Sequence, residues 1–65
     1  MKISVNGQPH EVKATTVAAI LTEIGYGDAT VATALNGDFV AADRRMNQAV
    51  RDGDALEVLA PRQGG

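Results

Sequence analysis

The chain reads TTVAAILTEIG over residues 15–25, and this segment predicts the main helix of the fold. Its apolar residues recur at intervals of three and four: Val17, Ile20, Leu21 and Ile24. This spacing places all of them on one face of a helix. Thr15 or Thr16 can cap the first turn, because a threonine hydroxyl accepts from an unpaired backbone N–H. Gly25 fits a left-handed helix stop, and Gly27 fits the loop that follows it.

Strand patterns lie on both sides of this helix. Before it, residues 2–5 alternate polar and apolar side chains, and a second strand is expected to end near Val12. After it, residues 31–35 and 39–41 predict another pair of strands. Each pair is joined by Asn-Gly, at positions 6–7 and 36–37, and this dipeptide favours tight hairpin turns because both residues tolerate positive φ. Two hairpins are therefore predicted, one before the helix and one after it.

A polar stretch at residues 43–52 separates the second hairpin from the last strand. Met46 and Val50 are four residues apart, which indicates a short helical turn that tucks both side chains beneath the loop. The sequence Asp52-Gly53-Asp54 then predicts a turn, because these residue types favour turns and supply too few oxygen ligands for a hard metal ion. The segment is expected to connect two strands without carrying a metal site.

The last predicted strand covers residues 55–60 and has two different faces. Leu56 and Val58 point to one side by alternation, whereas Glu57 and Leu59 point to the other. If the first pair faces the helix, Leu59 is exposed and is a candidate docking residue. The order hairpin, helix, hairpin, loop and strand predicts an α+β fold, with one main helix packed across a mixed sheet of four to five strands. A last strand beside the first would satisfy the backbone groups at the centre of this sheet.

Composition limits the classes of function. The chain has 65 residues, 45% hydrophobic and 22% charged, as expected of a single soluble domain over residues 1–65. Its net charge of -2 argues against nucleic-acid binding, and the lack of cysteine excludes disulfides and thiolate metal sites. Residues 1–7 lack the apolar core of a secretion signal, and no apolar run reaches membrane-spanning length. We therefore expect a cytoplasmic protein whose partners are other proteins.

The remaining polar side chains give weak indications of function. His10 has no cysteine or candidate serine beside it in the sequence, so a solvated strand residue is favoured over a catalytic relay. Arg44 and Arg45 form the densest basic spot, and here a solvated loop is favoured over docking to an acidic patch. No catalytic residue, metal site or bound cofactor is predicted.

The pair Gly64-Gly65 is the main functional indication. Because neither residue has a Cβ, the segment can enter a narrow channel and present its carboxylate to a partner enzyme. Pro61 ends the last strand and favours an extended residue before it, so residues 61–65 are predicted to form a flexible tail. Arg62 and Gln63 form its stem, and we expect Arg62 to orient the tail in a partner's active site. The extended tail reaches on the order of 15 Å.

Several segments together give the chain a family resemblance. They are residues 1–7, the helix stripe, residues 31–37, residues 52–58 and the terminal Gly64-Gly65. In this order they resemble ubiquitin-like β-grasp sulfur carriers, and specifically the small thiamine-biosynthesis sulfur carrier proteins of bacteria. The resemblance covers the whole chain. Relatives often have a proline after the fourth strand and an apolar or aromatic residue in the following loop, where this chain has Ala41 and Arg45.

The resemblance implies a protein co-substrate, a monomer when free, rather than an enzyme. An adenylating enzyme would activate the Gly65 carboxylate with ATP, and a cysteine desulfurase system would supply sulfur for a thiocarboxylate. A thiazole synthase would then take the sulfur. Activation is needed because an α-carboxylate, with a pKa of about 3.3 to 3.7, is ionised at neutral pH and resists nucleophiles. Since the chain has no cysteine, Gly65 is the expected point of sulfur attachment.

Three other functions are compatible with the same pattern. The small subunit of molybdopterin synthase shares the fold and the terminus but stays bound to a larger catalytic subunit. A ubiquitin-like modifier would be joined through its diglycine end to lysines of other proteins. A plain binding module of β-grasp type would keep its activity after the last two residues are deleted.

Overall fold

The computed structural model describes residues 1–27 and 29–61, and these form one mixed sheet with a helix across it. The elements, in chain order, are β1 (Lys2–Val5), β2 (Gln8–Glu11), α1 (Val17–Glu23), β3 (Ala32–Leu35), β4 (Asp38–Val40), a 3-10 helix (Ala42–Arg44) and β5 (Ala55–Leu59). The five strands lie in the order β2-β1-β5-β3-β4. Strand β5 runs parallel to β1 and antiparallel to β3. The predicted α+β architecture is confirmed, with the last strand at the centre of the sheet.

Both hairpins turn at the predicted Asn-Gly pairs. Asn6 and Asn36 each have φ of 51°, and the glycines after them have φ of 81° and 87°. Positive φ at both central residues matches the right-handed twist of the flanking strands. The strands begin and end within one residue of the predicted bounds. Val12 lies just beyond β2, but its N–H still donates to the carbonyl of Met1 at 2.9 Å.

Helix α1 begins after Thr16, whose Oγ1 accepts from the N–H of Ala19 at 3.2 Å. Thr16 rather than Thr15 is therefore the cap. Ile24 ends the helix, and Gly25 follows with φ of 101°, as predicted for a left-handed stop. Glu23, in the last turn, accepts from the backbone N–H groups of residues 13 and 14 at 2.9 to 3.1 Å. This carboxylate fastens the loop that leads into the helix.

The core lies between α1 and the inner face of the sheet. Its most deeply buried side chains come from both layers and from the connecting segments: Ile3, Val12, Val17, Ile20 and Leu56. Each of the predicted stripe residues packs here, with Ile24 at the margin. His10 lies on strand β2 opposite Ile3, as predicted for a strand residue, but it is partly buried.

In the loop before β5, only one of the two residues that were predicted to be buried is buried. Val50 is buried, because the N–H of Val50 donates to the carbonyl of Thr15 and draws the loop against the start of α1. Met46 is 76% exposed, so the prediction that it is tucked beneath the loop is wrong. The helical turn here is a 3-10 helix that ends at Arg44, before Met46. A spacing of four residues therefore does not bring Met46 and Val50 to the same face.

Candidate functional site

Strand β5 places Leu59 on the outer face of the sheet, away from α1. Leu56 and Val58 are buried, whereas the Leu59 side chain is 71% exposed. The predicted alternation of this strand and the exposure of Leu59 are confirmed. β5 ends at Leu59, and Ala60 and Pro61 after it are also exposed. Leu59 is thus the last strand residue before the C-terminal segment.

A second large apolar side chain lies on the same face. Phe39 of β4 is 74% exposed, and it pairs across the sheet with Ala34, while Leu59 pairs with Ala32. Because the alanines are small, a shallow depression of about 130 Å³ lies between the Phe39 and Leu59 side chains. Glu57 also lines this depression. We call Ala32, Ala34, Phe39 and Leu59 the outer apolar patch.

Sequence reasoning identified Leu59 in this patch but missed Phe39. The signal was available, because alternation along β4 directs Phe39 outward once Val40 is placed in the core. Contiguous exposed apolar patches are a feature of protein-binding surfaces. The position of the outer apolar patch next to the C-terminal segment makes it the candidate docking site of this molecule.

The predicted tail residues Arg62, Gln63, Gly64 and Gly65 lie outside the described residues. Their roles as stem and as the site of modification therefore stay predictions.

Two asparagines of the hairpin turns hold β5 near its two ends. Oδ1 of Asn6 accepts from the N–H of Val58 at 2.8 Å, and its Nδ2 donates to the carbonyl of Val58 at 3.0 Å. Oδ1 of Asn36 accepts from the N–H of Ala55 at 2.9 Å, and its Nδ2 donates to the carboxylate of Asp54 at 3.1 Å. Sequence reasoning assigned both asparagines to turns only and did not predict these contacts.

Asp54 precedes β5 and is held by several donors. The N–H of Arg51 donates to its Oδ2 at 2.8 Å, and this bond, followed by that from Asn36, holds the pKa of the carboxyl below its ordinary value. Hydrogen bonds to the charged form favour ionisation, which explains the direction of the shift. The carboxylate stabilises the turn that immediately precedes β5.

The two arginines after β4 differ in their surroundings. Arg44 is exposed, as predicted, but Arg45 is partly buried. Nε of Arg45 donates to Oγ1 of Thr33 at 3.0 Å, and Nη2 donates to the carbonyl of Val31 at 2.6 Å. The prediction of a solvated loop is therefore wrong for Arg45, whose side chain binds the loop to the start of β3.

Two other kinds of site are not found in the described part of the chain. Within residues 1–27 and 29–61, no group of three or more His, Cys, Asp or Glu side chains lies close enough to hold a metal ion. No helix in these two ranges is both long and apolar enough to cross a membrane.

Comparison with known proteins agrees with the fold. The model of the ThiS family matches residues 3–65. The chain belongs to the ThiS family. The sulfur carrier protein ThiS of Thermus thermophilus is 34% identical over 61 residues, which cover 94% of this chain and 95% of that protein.

Two solved structures of a ThiS thiamine biosynthesis protein from Geobacter metallireducens are also similar. The crystal structure has a TM-score of 0.83 at 32% identity and covers both chains completely. The solution structure has a TM-score of 0.80 at 30% identity, and covers all of this chain and 88% of that one. The five-stranded mixed sheet with one helix is thus the ubiquitin-like β-grasp fold of ThiS proteins.

Proposed function

We propose that this ThiS-family protein is a sulfur carrier of thiamine biosynthesis, and that it carries sulfur as a thiocarboxylate on Gly65. The observation that carries this proposal is the family match, which extends through the diglycine at residues 64 and 65. The relative from Thermus thermophilus is named a sulfur carrier protein, and the structural neighbours are named thiamine biosynthesis proteins. The protein acts in the cytoplasm as a co-substrate of other enzymes.

The chemistry begins at the Gly65 carboxylate. A partner adenylating enzyme, which binds the ATP, directs a carboxylate oxygen to the α-phosphorus, and pyrophosphate leaves. Sulfide, the simplest sulfur donor, then attacks the carbonyl carbon and displaces AMP. The product after loss of a proton is a thiocarboxylate, whose sulfur is a nucleophile for the thiazole synthase. In the cell a cysteine desulfurase system supplies the sulfur.

The outer apolar patch is the surface on which the adenylating enzyme docks. Phe39 and Leu59 are 74% and 71% exposed, so most of their apolar area is still in contact with water in the free protein. Burial of large apolar side chains at the centre of an interface supplies much of its binding energy. From Leu59 to Gly65 the chain has six further residues, which span at most about 20 Å. The adenylation site therefore lies within about 20 Å of the docked patch.

Arg62 and Gln63 connect this patch to the reactive end. A guanidinium group carries a positive charge at all physiological pH values and binds carboxylates or phosphates through paired donors. Arg62 therefore aligns the tail within the partner's channel. Gly64 lets the backbone pass the narrowest part of the channel, because a residue without a Cβ has the smallest cross-section.

Intact-mass spectrometry tests this proposal directly. The protein is incubated with its adenylating enzyme, ATP and sulfide, and the expected product is heavier by the difference between one sulfur and one oxygen atom. A variant lacking Gly65 should keep the melting temperature of the wild type but acquire no sulfur, because the tail is expected to lie outside the core. Failure of the wild type to exchange oxygen for sulfur would overturn the proposal.

Three other observations separate the remaining functions that the diglycine terminus allows. Stable copurification with a larger catalytic subunit would indicate a molybdopterin synthase. Isopeptide conjugates to lysines of other proteins would indicate a modifier. Full activity after deletion of residues 64 and 65 would indicate a plain binding module.

A further inference from the structure

Asn6 lies where β1 stops pairing with β5. The parallel pairing is short, because it joins Ser4 to Ala55 and Val5 to Leu56 before the chain turns away at Gly7. The backbone N–H of Ser4 donates to the carbonyl of Asp54, and the N–H of Asn6 donates to the carbonyl of Leu56 at 2.9 Å. The backbone of β1 therefore supports β5 only as far as Leu56.

The side chain of Asn6 continues this row of hydrogen bonds. Its carboxamide has the same donor and acceptor as a peptide group, and it pairs with both the N–H and the carbonyl of Val58, at 2.8 and 3.0 Å. Asn6 thus takes the place of the next peptide unit of β1, after the main chain has left. On this edge of β5, Val58 is bound two residues beyond the last contact made by the backbone of β1.

The position of Val58 connects this contact to the C-terminal segment. On the opposite edge Leu59 pairs with Ala32, so the carboxyl end of β5 is held from both sides. Pro61 follows two residues after Leu59. The direction in which the chain leaves the sheet is therefore set jointly by β3 and by the carboxamide of Asn6.

We propose that Asn6 is a positioning residue for the reactive tail. The inference rests on the proposed function of Gly65 as the group that is adenylated. A reacting carboxylate must come within about 3 to 3.5 Å of its target, and small misplacements lower the rate steeply. Loosening Val58 broadens the directions in which the tail leaves the sheet, so fewer docked complexes hold the carboxylate at the ATP. The chemical step slows, whereas docking through the outer apolar patch is retained.

Asn36 provides a matched control within the same chain. It has the same φ of 51°, lies in the same type of Asn-Gly turn, and also makes two side-chain hydrogen bonds, to Ala55 and Asp54. These contacts are at the start of β5, at the end remote from Pro61. A purely structural effect of losing a turn asparagine should therefore appear equally at both positions.

The test compares Asn6→Gly with Asn36→Gly, because glycine keeps the positive φ of the turn and removes the side chain with its carboxamide. Carrier-dependent pyrophosphate release by the adenylating enzyme gives kcat and KM, and thermal unfolding gives stability. We expect Asn6→Gly to lower kcat about tenfold, because this factor corresponds to the free energy that a pair of hydrogen bonds contributes. The KM of Asn6→Gly should stay within about twofold of the wild-type value. Asn36→Gly should lower the melting temperature similarly while kcat stays within about twofold of the wild type.

The inference would be overturned by an equal fall of kcat in both variants or by a change confined to KM in Asn6→Gly. If Asn6→Gly does not fold, Asn6→Asp and Asn36→Asp replace the pair. In Asn6→Asp the carboxylate can still accept from the N–H of Val58, but it repels the carbonyl of Val58 because it has no hydrogen to donate. We therefore expect kcat to fall in Asn6→Asp and not in Asn36→Asp. If the wild-type protein is never adenylated, the proposed function is overturned, and this inference falls with it. If the wild type is active and both variants are equally active, only the inference is refuted.

Discussion

Replacement of Leu59 by serine should weaken docking without changing the fold. Complete burial of a leucine side chain contributes about 1.5 to 3 kcal/mol. Leu59 is 71% exposed in the free protein, so about 1 to 2 kcal/mol of this remains to be gained when a partner covers it. Since about 1.4 kcal/mol corresponds to a factor of ten, Leu59→Ser should raise the KM for the carrier about five- to thirtyfold.

The assay measures initial rates of pyrophosphate release by the adenylating enzyme over a range of carrier concentrations. Because Leu59 does not touch the reacting atoms, kcat should stay within about twofold of the wild type. The free energy of unfolding should shift by less than about 0.5 kcal/mol, as for other surface substitutions.

Met46→Ser is the matched control for this experiment. Met46 is 76% exposed and does not line the depression between Phe39 and Leu59. The carbonyl of its neighbour Arg45 accepts from the N–H of Ala18, which places this part of the loop beside α1. The control removes a comparable exposed apolar side chain and should leave KM unchanged. If Leu59→Ser has the KM of the wild type, or if Met46→Ser raises KM equally, the outer apolar patch is not the docking surface.

Three further predictions concern the scaffold. The backbone N–H groups of Ala14 and Lys13 lower the pKa of Glu23, so its contribution to stability is complete above a pH of about 4.3 and is lost as the pH falls through the folded-state pKa. Thermal unfolding should therefore show a smaller loss of stability between neutral and acidic pH in Glu23→Gln than in the wild type, and an identical loss would contradict the role of this carboxylate. Ile20 has no exposed surface, so Ile20→Ala should cost about 2 to 5 kcal/mol in urea unfolding, and a cost below about 1 kcal/mol would refute tight packing there. Gly37 has φ of 87°, and a Cβ at this position would meet no heavy atom within 4 Å outside the two neighbouring residues of the chain. Gly37→Ala should therefore cost about 1 to 2 kcal/mol from backbone strain alone, and an unchanged melting temperature would refute this origin.

Local patterns were sufficient to predict the elements of this fold. The stripe that starts at Val17 has one periodicity that only a helix satisfies, and each Asn-Gly pair favours a turn whatever the rest of the chain does. The place of β5 beside β1 was also predictable, because a last strand beside the first satisfies backbone groups that would otherwise be unpaired. These features depend on short stretches of sequence or on general requirements of sheets.

The errors concern side chains whose partners are distant in sequence. The link from Arg45 to Thr33 and Val31 requires the loop after β4 to fold back over β3, and no local pattern encodes that path. The exposure of Met46 has a similar cause, since the segment around it is fixed by contacts with α1 and not by its own helical spacing.

The candidate site was predictable in part. The exposure of Leu59 follows from strand alternation, and the same rule would have found Phe39. The contact between Asn6 and Val58 joins residues 52 positions apart, so it depends on the register of β1 against β5. The roles of residues 62–65 stay predictions, because they depend on a partner enzyme rather than on this chain's own packing.

Under the proposed function, the central position of β5 explains how a small protein can present a reactive end to its partners. A tail attached to an edge strand is held along one side, so a partner that pulls on it can break the hydrogen bonds one after another. Strand β5 is bonded to β1 and to β3, and Asn6 extends the first of these edges to Val58. Force applied beyond Pro61 must therefore break bonds on two edges at once. If the C-terminal segment enters an enzyme as proposed, the strand from which it leaves therefore stays fixed.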